Sequence, residues 1–176
     1  HLSIRRQRQM CIRDRHQAVG RQALVQQLVR GHRPGHRQAG GIEQADLPSP
    51  PRIHSIDIGP TGAWARPKNA KAWKRFHQSP LQVWDEPFFE APDVILIDGR
   101  FRIACFVTAF LRVRKPTIVL FDDYLDRPHY HVVERLLKPS ATIGRMARFD
   151  LQPLAEVPRD ELTWLVASYN EVAYAG

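Results

Sequence analysis

Phenylalanine, tryptophan, tyrosine, lysine, threonine and asparagine are all absent from residues 1–50 of this 176-residue chain. A segment without large aromatics has little to bury, so it does not read as a folded domain of its own. Cysteine is scarce as well. Cys11 has no evident partner, and Cys105 stands among apolar residues as a small hydrophobe. Two cysteines so placed exclude a disulfide framework and a cysteine-based zinc site. No apolar run approaches the ~20 residues of a membrane-spanning helix, and the amino terminus lacks the apolar centre of a signal peptide. The expected setting is therefore cytoplasmic, with no membrane partner.

What the chain has in excess is positive charge, a formal +8 at pH 7. Its distribution argues against a nucleic-acid partner. Residues 1–50 hold nine Arg and three acids, whereas the rest of the chain holds 17 bases and 15 acids. A domain that grips phosphates carries its excess on a folded face, and here the excess lies in the segment least able to fold. Composition thus divides the chain into an Arg/Gln/His-rich basic segment, 1–50, and a folded part, 51–176.

Two readings of the first segment stand side by side. One is a disordered basic arm, which would suit an acidic partner, with a short helix over Ala23 to Val29. In the other, the hexapeptide MCIRDR, Met10 to Arg15, resembles the translation of a sequencing adapter common in metagenomic assemblies. The residues after it are then read out of frame: shifted by one base, the stretch around Gly31 to Gln38 permits an amphipathic helix.

From Ile53 the pattern changes. Ile53 to Ile58 alternates as a strand does and runs into a loop at Gly59-Pro60. Lys68 to Phe76, with Ala70, Trp73 and Phe76 on one face, predicts a short helix, and Ser79 to Pro92 an irregular connection. Asp93 to Ile97 and Thr117 to Phe121 are continuous apolar runs of the kind buried on both faces of a parallel sheet. Phe101 to Arg112 between them has the length a crossover needs. A helix is expected from Pro128 to Pro139, an edge strand within Ala141 to Leu151, and a closing amphipathic helix from Arg159 to Tyr169 with Leu162, Leu165, Val166 and Tyr169 inward. The fold class is α/β, with mostly parallel strands and crossover helices.

Both apolar runs close on acid: Asp98 after the first, Asp122 and Asp123 after the second. Ligands of open α/β sheets bind outside the carboxyl ends of the strands, so these three carboxylates are the centre of any functional reading. Together they form a candidate oxygen-ligand site for a hard divalent ion such as Mg2+. His129 and His131 are candidate general bases. Arg100, Arg102 and Arg127 lie on the same rim as candidate partners for an anionic group or for the acids themselves.

The pairing of VILIDGRFR with TIVLFDDYLDRPHYHVVERLLKP resembles the second half of class I S-adenosylmethionine-dependent methyltransferases, whose fourth strand often ends in Ile-Asp-Gly and fifth in Asp-Asp-Tyr. The resemblance runs over roughly Ile53 to Phe149. It implies an incomplete Rossmann-like sheet, S-adenosylmethionine as cofactor, and a small-molecule or glycan hydroxyl as substrate. It also implies cofactor-side roles for Asp57 and Trp64 and a metal on Asp98 and Asp122, with Asp123 where catechol-type enzymes carry an amide; Asp98, His129 and His131 are the catalytic candidates. The glycine-rich cofactor turn that follows the first strand in these enzymes has no counterpart before Ile53, since Gly40-Gly41 lacks an apolar strand ahead of it. The expectation is therefore a truncated fragment, inactive as it stands, with its fourth strand exposed and prone to self-association. A non-catalytic Rossmann-like module that binds a ligand or a partner is the alternative. The oligomeric state is left open.

Overall fold

The structure, a computed structural model, describes residues 23–26, 54, 56–62 and 65–171. Among these described residues, five strands build one sheet: β1 Ala23–Gln26, β2 Val94–Ile97, β3 Thr117–Phe121, β4 Ala141–Ile143 and β5 Met146–Leu151. Their order is β1-β2-β3-β5-β4, parallel across β1, β2 and β3 and antiparallel across the last two pairs. In register, Gln26 lies opposite Ile97 and Ile97 opposite Phe121, so three strands end together at the edge where the acids stand.

β2 and β3 form where the apolar runs predict them. Ile95, Ile97, Val119 and Phe121 are fully buried, and the alternate residues are at least half-buried, as expected of strands covered on both sides. The crossover is α3, Arg102–Arg112, preceded by two single-turn helices, α1 Trp73–Phe76 and α2 Gln78–Leu81. Every residue of α3 from Arg102 to Ala109 is buried. Phe106 packs edge-on against Phe149 of β5, their centroids 4.6 Å apart, which locks the helix across the sheet. Val113 and Pro116 then return the chain to β3.

β1 corrects two expectations. Ala23 to Val29 was expected to be helical, because its apolar spacing suits that period, but Ala23–Gln26 pairs in parallel with β2. The edge of β2 that the fragment reading leaves open is therefore covered. Backbone groups along a central strand need partners, and that demand outweighs a weak local preference for helix.

Other expectations also shift. Ile56 and Ile58 are buried as the alternation requires, yet among the described residues no strand forms between His54 and Ile58. Asp57 accepts a hydrogen bond from the Gly59 amide at 2.8 Å, which closes the backbone into a turn, and Gly59 takes a φ of 82°. The two isoleucines dock as loop side chains on Phe76, Phe101 and Ala104. Trp73, read as inward, is exposed, while Ala72 and Phe76 carry the buried face. The connection read as irregular holds α2 and a 3-10 turn, Gln82–Asp85. The Pro128 helix is a 3-10 helix, Pro128–Arg135. The edge strand is a hairpin, β4 and β5, around Gly144 and Arg145. The closing helix is one α-helical stretch, α4 Leu162–Ala167, between 3-10 turns. Its Leu165 is buried, but Leu162 and Val166 face solvent. Short turns of mixed α and 3-10 period rotate side chains off a 3.6-residue stripe. Among the described residues no helix is long and apolar enough to cross a membrane.

Candidate active site

The sheet itself assembles the three aspartates. The Asp122 amide donates to the Ile97 carbonyl at 3.0 Å, extending the β2–β3 ladder by one bond and setting Asp98 and Asp122 side by side. Asp123 then turns the chain at a φ of 55°, a left-handed conformation that Asp tolerates better than most residues. Carboxylate oxygens of Asp98, Asp122 and Asp123 come within 4.8 Å of one another. Like charges at that spacing repel strongly unless they are compensated.

Compensation comes from guanidiniums. Arg102, at the first turn of α3 and only 4% exposed, reaches Asp98 at 3.2 Å and Asp123 at 3.0 Å. It also donates to the Gly99 and Asp122 carbonyls. Phe101, ahead of it, adopts a φ of 57° and packs on Phe76 at 5.7 Å, which aims Arg102 inward. Arg145 grips Asp122 with two parallel bonds of 2.7 Å and touches Asp123 at 3.1 Å. It is delivered by the two-residue β4–β5 hairpin, in which Gly144 takes the positive φ that a primed turn requires. Arg127 completes the set, 3.1 Å from Asp123.

Burial alone would push the Asp122 carboxyl up. The Arg145 guanidinium, which hydrogen-bonds to it, and the Asp123 amide outweigh burial and hold Asp122 below the usual carboxylate range. The same contact, led by the hydrogen bond to Asp122, raises Arg145. Asp98 is the most open of the three, its side chain 30% exposed against 7% for Asp122 and 10% for Asp123.

This donor set does not fit a magnesium ion as it stands. Three carboxylates are answered by three guanidiniums, and a divalent cation would have to displace Arg102 and Arg145 from the oxygens it needs.

The histidines fare differently from the aspartates. The His131 ring stacks on Tyr124 at 4.6 Å, and its Nε2 lies 3.1 Å from the Tyr124 carbonyl, where it acts as a structural donor. Tyr124 in turn reaches Glu134 at 2.9 Å. His129 is exposed and rests against Tyr130 at 4.2 Å. Neither histidine contacts the aspartates among the described residues. Asp57 is held in its own loop by the Gly59 amide and by Arg75. Trp64 lies outside the described residues. Of the rim arginines, Arg102 and Arg127 pair with the acids, whereas Arg100 does not. Arg145 escaped the sequence reading; the Gly144 turn inside an apparent single strand was its only local signal.

No protein-family model matches the chain, and no curated protein does either. Among solved structures, a methyltransferase-like protein from Silicibacter pomeroyi DSS-3 superimposes with a TM-score of 0.63 at 38% sequence identity. The fold is methyltransferase-like. The match covers 68% of this chain and 61% of that protein, so the chain spans about three fifths of its length. With the likeness in hand, the strand order acquires meaning: in the 3-2-1-4-5 order of doubly wound sheets the first strand neighbours the fourth, which is how β1 neighbours β2.

Proposed function

We propose that this chain carries the acceptor side of an S-adenosylmethionine-dependent methyltransferase acting on a hydroxyl of a small molecule or glycan. One observation carries the reading: Asp98, a partly open carboxylate, follows the carboxyl end of β2, beside the end of β1, in a sheet whose fold is methyltransferase-like. That position is the switch point of the sheet, where ligands of this architecture bind. The residues that follow β1, 27–53, lie outside the described residues.

S-adenosylmethionine, when bound, supplies an electrophilic methyl group on a sulfonium. The chain's own part is to hold the acceptor and take its proton. Asp98 would accept the proton of the acceptor hydroxyl as that oxygen takes up the methyl group. Arg102 keeps that carboxylate aimed outward, and Asp122 and Asp123 fix Arg102 through its remaining N–H groups. A non-catalytic ligand-binding module is the second reading, favoured by the complete pairing of Asp122 and Asp123 with arginine.

Methyl transfer to a panel of hydroxyl acceptors, followed by release of S-adenosylhomocysteine, separates the two. Asp98→Asn is expected to lower kcat/KM by about 10²- to 10⁴-fold, the usual worth of a general base, while His131→Gln stays within a few-fold of the parent. Turnover that survives Asp98→Asn unchanged would remove Asp98 from the mechanism.

A further inference from the structure

Arg102 spends its N–H edge on acceptors at the strand ends. Its Nε donates to the Gly99 carbonyl, Nη1 to the Asp122 carbonyl, and Nη2 to Asp98 and Asp123. The flat face of a guanidinium donates nothing, so in a side chain only 4% exposed it is best met by an aromatic surface. Tyr130 is placed to supply one. The Arg102 Cζ lies over the Tyr130 ring, 5.5 Å from its centroid, and the Arg127 Cζ lies over the same ring at 6.0 Å. Both arginines also converge on one oxygen, Oδ2 of Asp123, at 3.0 and 3.1 Å. Two like charges on one acceptor repel, and a shared π surface offsets part of that repulsion. The ring itself is fixed, since it is buried and packs at 5.1 Å on Phe121, the residue before Asp122. The Tyr130 hydroxyl does less: it accepts a long bond of 3.4 Å from Arg127, whose side chain is 36% exposed.

We propose that Tyr130 is a positioning residue of this site: its ring, and not its hydroxyl, fixes Arg102 and Arg127 against Asp123, and through Arg102 it sets the orientation of Asp98. Asp98 is the most open of the three acids, and its 3.2 Å contact is longer than the Arg102 bond to Asp123, so the Asp98 carboxylate follows where Arg102 stands. Misplacing a reacting group by about 1 Å costs up to about 10²-fold in rate. That Asp98 is the base rests on the methyltransferase reading; the fixing of the two arginines does not.

The test uses the full chain with Tyr130→Phe, which keeps the ring, and Tyr130→Leu, which removes it. Nitrogen-15 relaxation of the arginine Nε–H groups reads the positioning directly and needs neither cofactor nor acceptor. The Arg102 order parameter is expected at about 0.85, that of rigid backbone, in the parent and in Tyr130→Phe, and to fall toward about 0.6 in Tyr130→Leu. Arg145, held by Asp122 and Asp123, keeps its value in all three proteins. An unchanged Arg102 in Tyr130→Leu, or an equal loosening in Tyr130→Phe, overturns the role of the ring. So does an Arg145 that loosens alongside, because it marks a general loss of packing. Turnover is the second readout. Tyr130→Leu is expected to lower kcat by about 10- to 100-fold with the acceptor KM within a few-fold, a loss that the conservative Tyr130→Phe rescues. Added to Asp98→Asn, Tyr130→Leu brings no further loss, because both act at one group; a full additional loss there overturns the route through Asp98. A parent without turnover counts against the methyltransferase reading alone, and the relaxation result still decides the role of Tyr130.

Discussion

Replacing Arg145 with Gln isolates the contact on which the aspartate cluster most depends. The substitution removes both 2.7 Å bonds to Asp122 and leaves a carboxylate that is 7% exposed without its counter-ion. Breaking a fully buried pair costs about 3–5 kcal/mol. Arg145 is itself 36% exposed, so water reaches the vacated position and the loss is smaller, about 2–3 kcal/mol. For a chain of this size that corresponds to a fall in Tm of about 5 to 10 °C. The pH dependence is the more specific signature. Asp122 titrates below its unfolded value of about 3.9, so its contribution is full above about pH 4 and is lost as pH falls through the folded value. In Arg145→Gln, burial is no longer outweighed and the carboxyl protonates at higher pH. Thermal melts of parent and variant from pH 7 to pH 3 are therefore expected to converge in acid. A fall of less than 1 °C at pH 7, or a gap that stays constant with pH, refutes the reasoning.

Gly59→Ala is expected to destabilise by about 1–3 kcal/mol, since a non-glycine residue pays for positive φ and the new Cβ would stand 2.8 Å from that of Ala72; a melt within 1 °C of the parent contradicts this. Cys105 is buried and its thiol is pushed up to about 12, chiefly by burial. Peptide-resolved thiol labelling should find it inert in the native protein and reactive in denaturant, and labelling under native conditions contradicts the core assignment.

The chain is most legible where one effect dominates. Val94 to Ile97 and Thr117 to Phe121 are uninterrupted apolar runs ended by acid, and burial on two faces leaves such runs no other use. The three aspartates were legible for the same reason, because the end of a strand fixes where the next side chain stands. Two of their partners, Arg102 and Arg127, were legible as well, because each follows a strand end by only a few residues. Arg145 was not: it comes from 23 residues beyond Asp122, through a hairpin whose only sign was Gly144. β1 was misread because Ala23–Gln26 has a spacing compatible with helix and becomes a strand only through its pairing with β2. Leu162 and Val166 point outward because α4 is too short to keep a stripe, while Leu165 is buried and Trp164 and Tyr169 pack against the core, Tyr169 as expected.

Calorimetric titration of S-adenosylmethionine into the purified chain tests the central claim most directly. A saturable heat with one site per chain, competed by S-adenosylhomocysteine, is expected. A flat titration, from protein whose cooperative melt shows it to be folded, would contradict the methyltransferase reading and leave the aspartate–arginine cluster as a structural clamp at the end of the sheet.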